Sequence, residues 1–591
     1  ASACHTVPHA AAAAAAAWRP RLRRAACRLR HLPSLPPCFA MGSEATPDAE
    51  PAAGDAERRR LLNVNVGVLG HVDSGKTSLV RALSTQLSTA ALDKHPESAV
   101  RGITLDLGFS SFTTGLPPQL EPMSDRYDGL QFTLVDCPGH ASLIRTVLGG
   151  AQIIDLMLLV IDVNKGIQTQ TAECLVVGEI TTDRLIVVLN KCDMLPADTR
   201  AAAVEKMVKK LSNTFKATRF AGCPMVPVSA RPGGAATMAE DRGDAELPPE
   251  GMDPLVAELL SRVPELNRRA DEPLLYAVDH CFPIKGQGTV LTGTVLQGSI
   301  SVGQTVEFPA LKVERKVKSM QMFKRPVRTA VRGDRLGVCV TQLDAKALER
   351  GLVCEPGSVP TFGGCVVACE RIRFFRQDIR SKSKFHVTIG HQTVMAEVTF
   401  FGEPLGAGAG ALEALAEAAR GETTAQHAAA FSFDADYVYC DELLEPPARA
   451  AAAGKAGGAA GAGAGDAATR RDVGRQWAIL AFETPVTCPR DALLIGSRLD
   501  VDVHTSSCRL AFHGRVAQVL DPSKQDEMAR LRIFKWKRRE GSVDRYQDEH
   551  TVIGKGMFKK ETDMTNFTGM RVRTAQGEEG TVQGTFGKGG K

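Results

Sequence analysis

Residues 70 to 77 read Gly-His-Val-Asp-Ser-Gly-Lys-Thr, a spacing of glycines, lysine and hydroxyl suited to gripping a nucleotide's phosphates. Gly70 and Gly75 let the backbone curl so that successive N–H groups face an anion. Lys76 can reach the β- and γ-phosphates, and the Thr77 hydroxyl can bind Mg²⁺. Asp136 ends the apolar run that starts at Phe132, and Cys137-Pro-Gly139-His140 follows it. A carboxylate at the end of a strand is placed to hold Mg²⁺ through water. Gly139 supplies a hinge and a backbone N–H that can approach the γ-phosphate closely. His140 is then placed to orient an attacking water. Thr104, in Arg101-Gly-Ile-Thr, is a candidate switch residue that closes over Mg²⁺ and the γ-phosphate.

A base site follows the phosphate site. The apolar run Leu185 to Leu189 leads into Asn190-Lys191-Cys192-Asp193. The Asp193 carboxylate can accept from both N1–H and the 2-amino group of guanine. Adenine lacks that pair of donors and would leave a buried charge unpaired. Asn190 can bond the purine edge, Lys191 can lay its stem over the base, and Ser229 and Ala230 offer backbone N–H groups to the guanine oxygen.

These residues need elements to carry them. Apolar residues alternate from Val64 to Leu69, which predicts a buried strand. Leu79, Val80 and Leu83 sit at helical spacing behind the glycine loop. Each later motif also follows an apolar strand. The pattern predicts an α/β P-loop GTPase domain over residues 63–270, an open and mainly parallel sheet with its ligand at the strand C-termini.

The rest of the chain is bounded by composition. At 591 residues it is too long for a single core. A hydrophobic content of 43% with 24% charged residues is ordinary, and a net charge of +5 permits RNA as a partner without requiring one. No apolar run reaches the length of a membrane span, so no membrane partner is expected. The 15 cysteines are scattered through apolar segments; Cys365 and Cys369 form a pair without a second pair to complete a zinc site. Buried, reduced thiols are expected. Ala1 to Ser43 has much Ala and Arg and no Asp or Glu. It is either an organellar transit peptide or a start placed upstream of Met41, the second being favoured, and residues 1–62 read as a disordered extension. The expected compartment is the cytoplasm, and an organelle only if residues 1–40 are a transit peptide.

From Pro273 the pattern changes to short alternating strands with glycine turns, predicting a β-barrel over 271–358. Lys312, Arg315, Lys316, Lys318, Lys324, Arg325, Arg328 and Arg332 give it a basic stripe, either a solvated face or an RNA contact. A second barrel is expected over 359–513, interrupted at about 404–475 by an Ala/Gly-rich stretch too poor in large apolar residues to build a core. Phe431, Phe433, Tyr437 and Tyr439 break that bias and read as one short strand docking back. Residues 514–591 carry basic runs interleaved with aromatics, Leu531 to Arg539 and Gly554 to Lys560, suited to RNA.

The phosphate loop, Arg-Gly-Ile-Thr104 and Asp136-Cys-Pro-Gly-His140 together resemble the translational GTPases of the elongation factor Tu type. Leu83 to Lys94, Gly102 to Phe109, Lys165 to Val176, Val317 to Phe323 and Ile495 to Thr505 are similar to the eukaryotic selenocysteine-specific elongation factors. The resemblance runs from about residue 63 to 591, outside the insertion. It implies GTP/GDP and Mg²⁺ as cofactors, with Asp73, Ser74, Gly75, Lys76, Thr77 and Ser78 at the phosphates and Val72 in an apolar gate beside the catalytic His140. Ser74 departs from the broader class, which commonly has His there. The implied activity is GTP hydrolysis coupled to delivery of selenocysteinyl-tRNA to the ribosome at UGA codons. A partner protein would link the C-terminal domain to the selenocysteine insertion element, and a monomer is expected.

The resemblance also places the selenocysteinyl group against Asp279, His280 and Arg335. A selenol is more acidic than a thiol, so it is largely anionic near neutrality, whereas Ser is neutral and Cys, with a pKa of about 8.5, mostly so. A cationic Arg335 helped by His280 would favour the selenolate by about 1.5–3 kcal/mol. The alternative at these positions is an ordinary Arg–Asp pair. For the whole chain, the alternatives are a general elongation or initiation factor carrying another aminoacyl-tRNA, and a non-hydrolysing GTP-binding RNA scaffold. The sequence ends at Gly587-Lys-Gly-Gly-Lys591, in what reads as the middle of the last barrel.

Overall fold

The structure is a computed structural model. It describes residues 60–87, 107–138, 153–216, 218–232, 247–263, 270–404, 423–444, 473–500, 508–535, 541–558, 562–574 and 578–585, apart from single positions at 285, 287, 349 and 391. The N-terminal extension, Thr104, Gly139, His140 and most of the Ala/Gly-rich insertion lie outside the described residues.

The first domain is built on seven strands: β1 (Arg60–Gly70), β2 (Gln86–Leu87), β3 (Gly108–Thr114), β4 (Tyr127–Asp136), β5 (Leu156–Asp162), β6 (Leu185–Asn190) and β7 (Met225–Pro227). They lie in the order β2-β3-β4-β1-β5-β6-β7. The strands from β4 to β7 run parallel, and β3 pairs antiparallel with β4. Period-two alternation gives β1 two faces. Leu62, Val64, Val66 and Val68 pack into one cluster with Leu79, Val80 and Leu83 of helix Lys76–Leu83 and with Leu255 and Leu259 of helix Met252–Ser261. On the other face, Leu69 joins a cluster with Cys174–Val177 of helix Thr169–Thr181 and with Leu211 and Phe215 of helix Arg200–Phe215. That second face begins with two polar residues, Asn63 and Asn65, both buried.

The second domain comprises β8 (Leu275–Ile284), β9 (Gly288–Gln297), β10 (Ser299–Ser301), β11 (Thr305–Phe308), β12 (Val313–Met322), β13 (Arg325–Val327), β14 (Thr329–Val331), β15 (Arg335–Val340) and β16 (Gly351–Cys354). The order β11-β16-β8-β9-β15-β12 closes through a β11–β12 pairing into a barrel, filled by Tyr276, Val278, Leu291, Phe308 and Val338.

The third domain has β17 (Thr361–Arg371), β18 (Ser383–Ile389), β19 (Gln392–Pro404), β20 (Asp436–Cys440), β21 (Val473–Thr487), β22 (Leu493–Ser497), β23 (Leu510–Val519) and β24 (Arg532–Phe534). A β18–β19 pairing closes six of these strands into a second barrel. Tyr437 and Tyr439 lie on β20, which adds to β19, while Phe431 and Phe433 precede it. Phe431 stacks on Tyr437 with centroids 5.7 Å apart, and both rings pack on the fully buried Trp477. β24 then extends the same edge, parallel to β20. The rest of the described chain forms two short pairs, β25 (Ser542–Tyr546) with β26 (Val552–Lys555) and β27 (Arg571–Arg573) with β28 (Glu579–Thr581). Asp436 at the start of β20 binds both Arg532 and Arg571, at 3.2 and 2.8 Å.

The described cysteines are all free thiols and most are buried. Burial pushes Cys488 and Cys508 up to about 12, so these thiols pack and do not react. Among the described residues no helix is long and apolar enough to cross a membrane.

Candidate nucleotide and aminoacyl sites

β1 delivers the phosphate loop. At Gly70 a side chain would collide with the Val160 carbonyl of β5, and at Gly75, whose φ is +90°, it would collide with the Asn190 amide. Asp73 also takes a left-handed φ, of 58°. Helix Lys76–Leu83 starts immediately after Gly75, so its unpaired N–H groups open onto the loop. Lys76 is buried, with its Nζ donating to the His71 carbonyl at 2.8 Å across the loop. Burial pushes this ammonium below its ordinary pKa while Asp136 opposes the shift. A desolvated cation of this kind is suited to phosphate oxygens. Ser74 Oγ is buried and has no hydrogen-bond partner among the described residues. Ser78 lies in the first turn of the helix, and the Val72 N–H reaches Gln170 Oε1 at 3.5 Å.

β4 ends at Asp136, paired beside Val68 of β1. The Thr77 hydroxyl donates to Asp136 Oδ2 at 2.7 Å. The two oxygens expected to share a divalent cation therefore stand together. Donor type and placement both fit Mg²⁺.

The base tetrad leaves the end of β6. Asn190 is buried; its Nδ2 donates to the Ser74 carbonyl at 2.9 Å and its Oδ1 accepts from the Ala230 N–H at 3.1 Å. The side chain is thus a strut between the phosphate loop and the Ser229–Ala230 loop, a role its place in the motif did not reveal. Lys191 adopts a φ of 65° and its Nζ pairs with Asp162 Oδ2 at 3.0 Å. Asp162, at the end of β5, was not among the residues expected here. Burial works against its charged form, but hydrogen bonds from Lys191 and Asn164 hold the carboxyl below its usual range. The Asp193 N–H donates to Ser229 Oγ at 3.0 Å. The structure therefore brings Ser74, Gly75, Lys76, Thr77, Asp136, Asn190, Asp193, Ser229 and Ala230 around one strand-end crevice.

The second constellation lies on the first barrel. The β8–β9 register shifts between Val278 and His280, leaving Asp279 as a bulge residue whose carboxylate is buried. Arg335 opens β15 opposite Thr294 of β9. Its Nη1 donates to Asp279 Oδ2 at 2.5 Å and to Thr294 Oγ1 at 3.3 Å. Arg335 is 4% exposed, and its Nη2 is buried with no partner among the described residues. Asp279 and Arg335 meet, and His280 follows on the same strand, half-buried. The guanidinium carbon sits 3.0 Å from the ring centroid of Phe109, a residue of β3 in the GTPase domain. Nothing in the sequence marks Phe109 as more than core.

The basic stripe lies along β12 to β14. Lys312, Lys316, Lys318, Lys324, Arg325, Arg328 and Arg332 are exposed, while Arg315 is tied back to the Gln342 carbonyl at 2.8 Å.

Comparison with known proteins agrees with this arrangement. Four family models match: "Elongation factor Tu GTP binding domain" over residues 62–283, "Elongation factor Tu domain 2" over 288–354, "Selenocysteine-specific elongation factor, eukaryotes, 3rd domain" over 366–514, and "eEFSec C-terminal RIFT domain" over 529–591. The chain is 49% identical to the mouse (Mus musculus) selenocysteine-specific elongation factor over 534 residues, 90% of this chain and 88% of that one. It is 37% identical to the factor of the same name from Methanocaldococcus jannaschii over 342 residues, 57% of this chain and 66% of the relative. Among solved structures, translation elongation factor SelB from Methanococcus maripaludis in complex with the GTP analogue GPPNHP has the same fold, with a TM-score of 0.61 at 24% identity over 90% of this chain and 94% of that one. The chain belongs to the family of selenocysteine-specific elongation factors, GTPases of the elongation factor Tu type with additional β-barrel domains.

Proposed function

We propose that this GTPase carries selenocysteinyl-tRNA to the ribosome for UGA recoding and releases it when GTP is hydrolysed. The observation that carries the cargo assignment is Arg335, a buried guanidinium whose Nη2 has no partner among the described residues while Nη1 is fixed by Asp279. An anionic side chain satisfies such a group, and a neutral hydroxyl does so less well. His280 is the second donor at the rim. Discrimination of about 1.5–3 kcal/mol, about ten- to a hundred-fold, separates selenocysteinyl- from seryl-tRNA.

In the nucleotide site, the N–H groups of the loop from Asp73 to Ser78 and the Lys76 ammonium bind the phosphates, and Asp193 with the Ser229–Ala230 loop reads guanine. Thr77 and Asp136 would hold Mg²⁺, which when bound supplies positive charge at the β- and γ-phosphate oxygens. The motif assigns Thr104 and Gly139 to the γ-phosphate side and His140 to orienting the attacking water; these three rest on the sequence.

The exposed stripe from Lys316 to Arg332 supports contact with tRNA or ribosomal RNA. The C-terminal β25–β28 region takes the link to the selenocysteine insertion element through its binding protein. The protein works as a monomer in the cytoplasm, a setting that its free, buried thiols support.

The test is capture of aminoacyl-tRNAs by the GTP-loaded protein, with the attached amino acid identified. Selenocysteine should be enriched over serine, and Arg335→Ala should lower that ratio about ten- to a hundred-fold. Indiscriminate capture would point to a general aminoacyl-tRNA carrier, and an unchanged ratio in the variant would remove the pocket from Arg335.

A further inference from the structure

Arg335 belongs to the barrel, but two of the features that fix it come from the GTPase domain. The first is the Phe109 ring, over whose face the guanidinium carbon sits 3.0 Å from the centroid. Phe109 is fully buried and held in register opposite Val135 of β4, so the ring has no freedom to swing aside on its own strand. The second is a clamp on the turn before Arg335. The side-chain amides of Asn63 and Asn65 donate to the Gly333 carbonyl at 2.6 and 2.9 Å. Asn63 is oriented for this by the Thr133 hydroxyl and the Gln131 amide, which donate to its Oδ1 at 2.6 and 3.2 Å. Asp334 closes the same turn by accepting from the Val331 N–H at 2.9 Å.

We propose that Phe109 is a positioning residue that sets cargo specificity, an inference that rests on the aminoacyl reading of Arg335 given above. The face of an aromatic ring attracts a cation and excludes water from it. With one face on Phe109 and Nη1 committed to Asp279 and Thr294, Nη2 is the remaining donor of the guanidinium's outer edge, and it is buried. Bulk water is kept from it, so a cargo side chain decides whether it is satisfied. A selenolate entering there gives Nη2 a charged acceptor in a dry site, beside the Asp279 carboxylate already on Nη1. A seryl hydroxyl offers Nη2 only a neutral acceptor, and such a bond is about half as strong as one to an ionised acceptor. A wetter Arg335 would still attract an anion, but water would satisfy Nη2 in the seryl complex and the two cargoes would be told apart less well. The GTPase domain therefore does more than hold nucleotide: it supplies the dry wall against which the barrel distinguishes an anionic chalcogenolate from a neutral hydroxyl.

The experiment measures binding of selenocysteinyl- and seryl-tRNA to the full chain loaded with a non-hydrolysable GTP analogue, with analogue affinity as the control for an intact GTPase fold. Phe109→Leu keeps an apolar side chain in the sheet and removes the ring; Phe109→Ala opens the site further but is harder on the fold. The selenocysteine-to-serine ratio should fall about 3- to 30-fold in Phe109→Leu while analogue affinity stays within two-fold. A ratio within two-fold of wild type, in a protein where Arg335→Ala still collapses it, overturns the role of Phe109 and leaves the pocket standing. If neither substitution moves the ratio, the aminoacyl reading itself fails and this inference goes with it. If Phe109→Leu loses nucleotide binding, replacing Phe109 with pentafluorophenylalanine, which keeps the volume and removes the negative face, gives the same two-way outcome.

Discussion

Where the GTPase sheet meets the second barrel, Ile372, Ile495, Cys508 and Leu510 pack in the same apolar cluster as Leu69, Cys137 and Leu175. Glu173 of helix Thr169–Thr181 and Arg509 sit inside that contact, both nearly solvent-free, joined by bonds of 2.9 Å from Nε and from Nη2 to the two carboxylate oxygens. Where the sheet meets the first barrel, two asparagine amides converge on one carbonyl and one ring faces one guanidinium, with the half-buried Leu296 of β9 packed against the edge of the same apolar cluster. Contiguous apolar packing with a desolvated bidentate pair makes a joint that resists separation. A few directional bonds around a single arginine make a joint whose geometry carries information but contributes little adhesion. The same domain thus holds one neighbour by mass of contact and the other by placement.

The sharpest way to break this contrast is Arg509→Ala. It strands the Glu173 carboxylate in a dry interface and should destabilise the protein by about 3–5 kcal/mol in denaturant unfolding. Restoring much of that loss with Glu173→Leu in the Arg509→Met background would show that the stranded charge, and not lost packing, was responsible. A loss under 1 kcal/mol in Arg509→Ala would mean that this joint does not bear on stability. At the other interface, Asn65→Ala removes one of two donors to the Gly333 carbonyl and should cost about 1 kcal/mol. If the asparagine variant proved the more damaging of the two, the contrast would be inverted.

The smallest expected effect is in a pair that touches neither barrel, Asp162 with Lys191. Because the folded carboxyl is held below its usual range, its stabilisation is present above the ordinary aspartate pKa and is lost as pH falls through the lower folded value. Asp162→Asn should flatten that part of the acid limb, measured as the difference between wild-type and variant stability below about pH 4. An unchanged limb would mean that the pair does not contribute.

The nucleotide site was legible because its signals are local. Glycines, a lysine and a hydroxyl within eight positions, or a tetrad just after an apolar run, are fixed by one loop's own geometry. The interfaces were not legible. Glu173 and Arg509 are 336 positions apart, and each looks like a surface charge until the fold brings them together. Phe109 reads as a core residue on an apolar strand, because stacking on a guanidinium from another domain leaves no periodic mark. Asn63 and Asn65 did leave one: two polar residues alternating with valines in a buried strand signal that the face has a polar partner. The strand at Tyr437 was visible from its aromatics, but its pairing with β24 depends on a segment almost a hundred residues downstream.

β1 enters both stories, since it ends in the phosphate loop and begins with the asparagine clamp. The five steps from Asn65 to Gly70 are extended strand, paired with β4 from Asn65 to Val68 and with β5 from Val66 to Gly70, so about 17 Å of stiff ribbon separates the two attachments. Inserting a single residue in that stretch would turn both amides toward Val80 and Leu255 and bring valines to the Gly333 carbonyl. The length of this ribbon is therefore a gauge block of the molecule: substitutions along it are tolerated according to side chain, but a change in count is not.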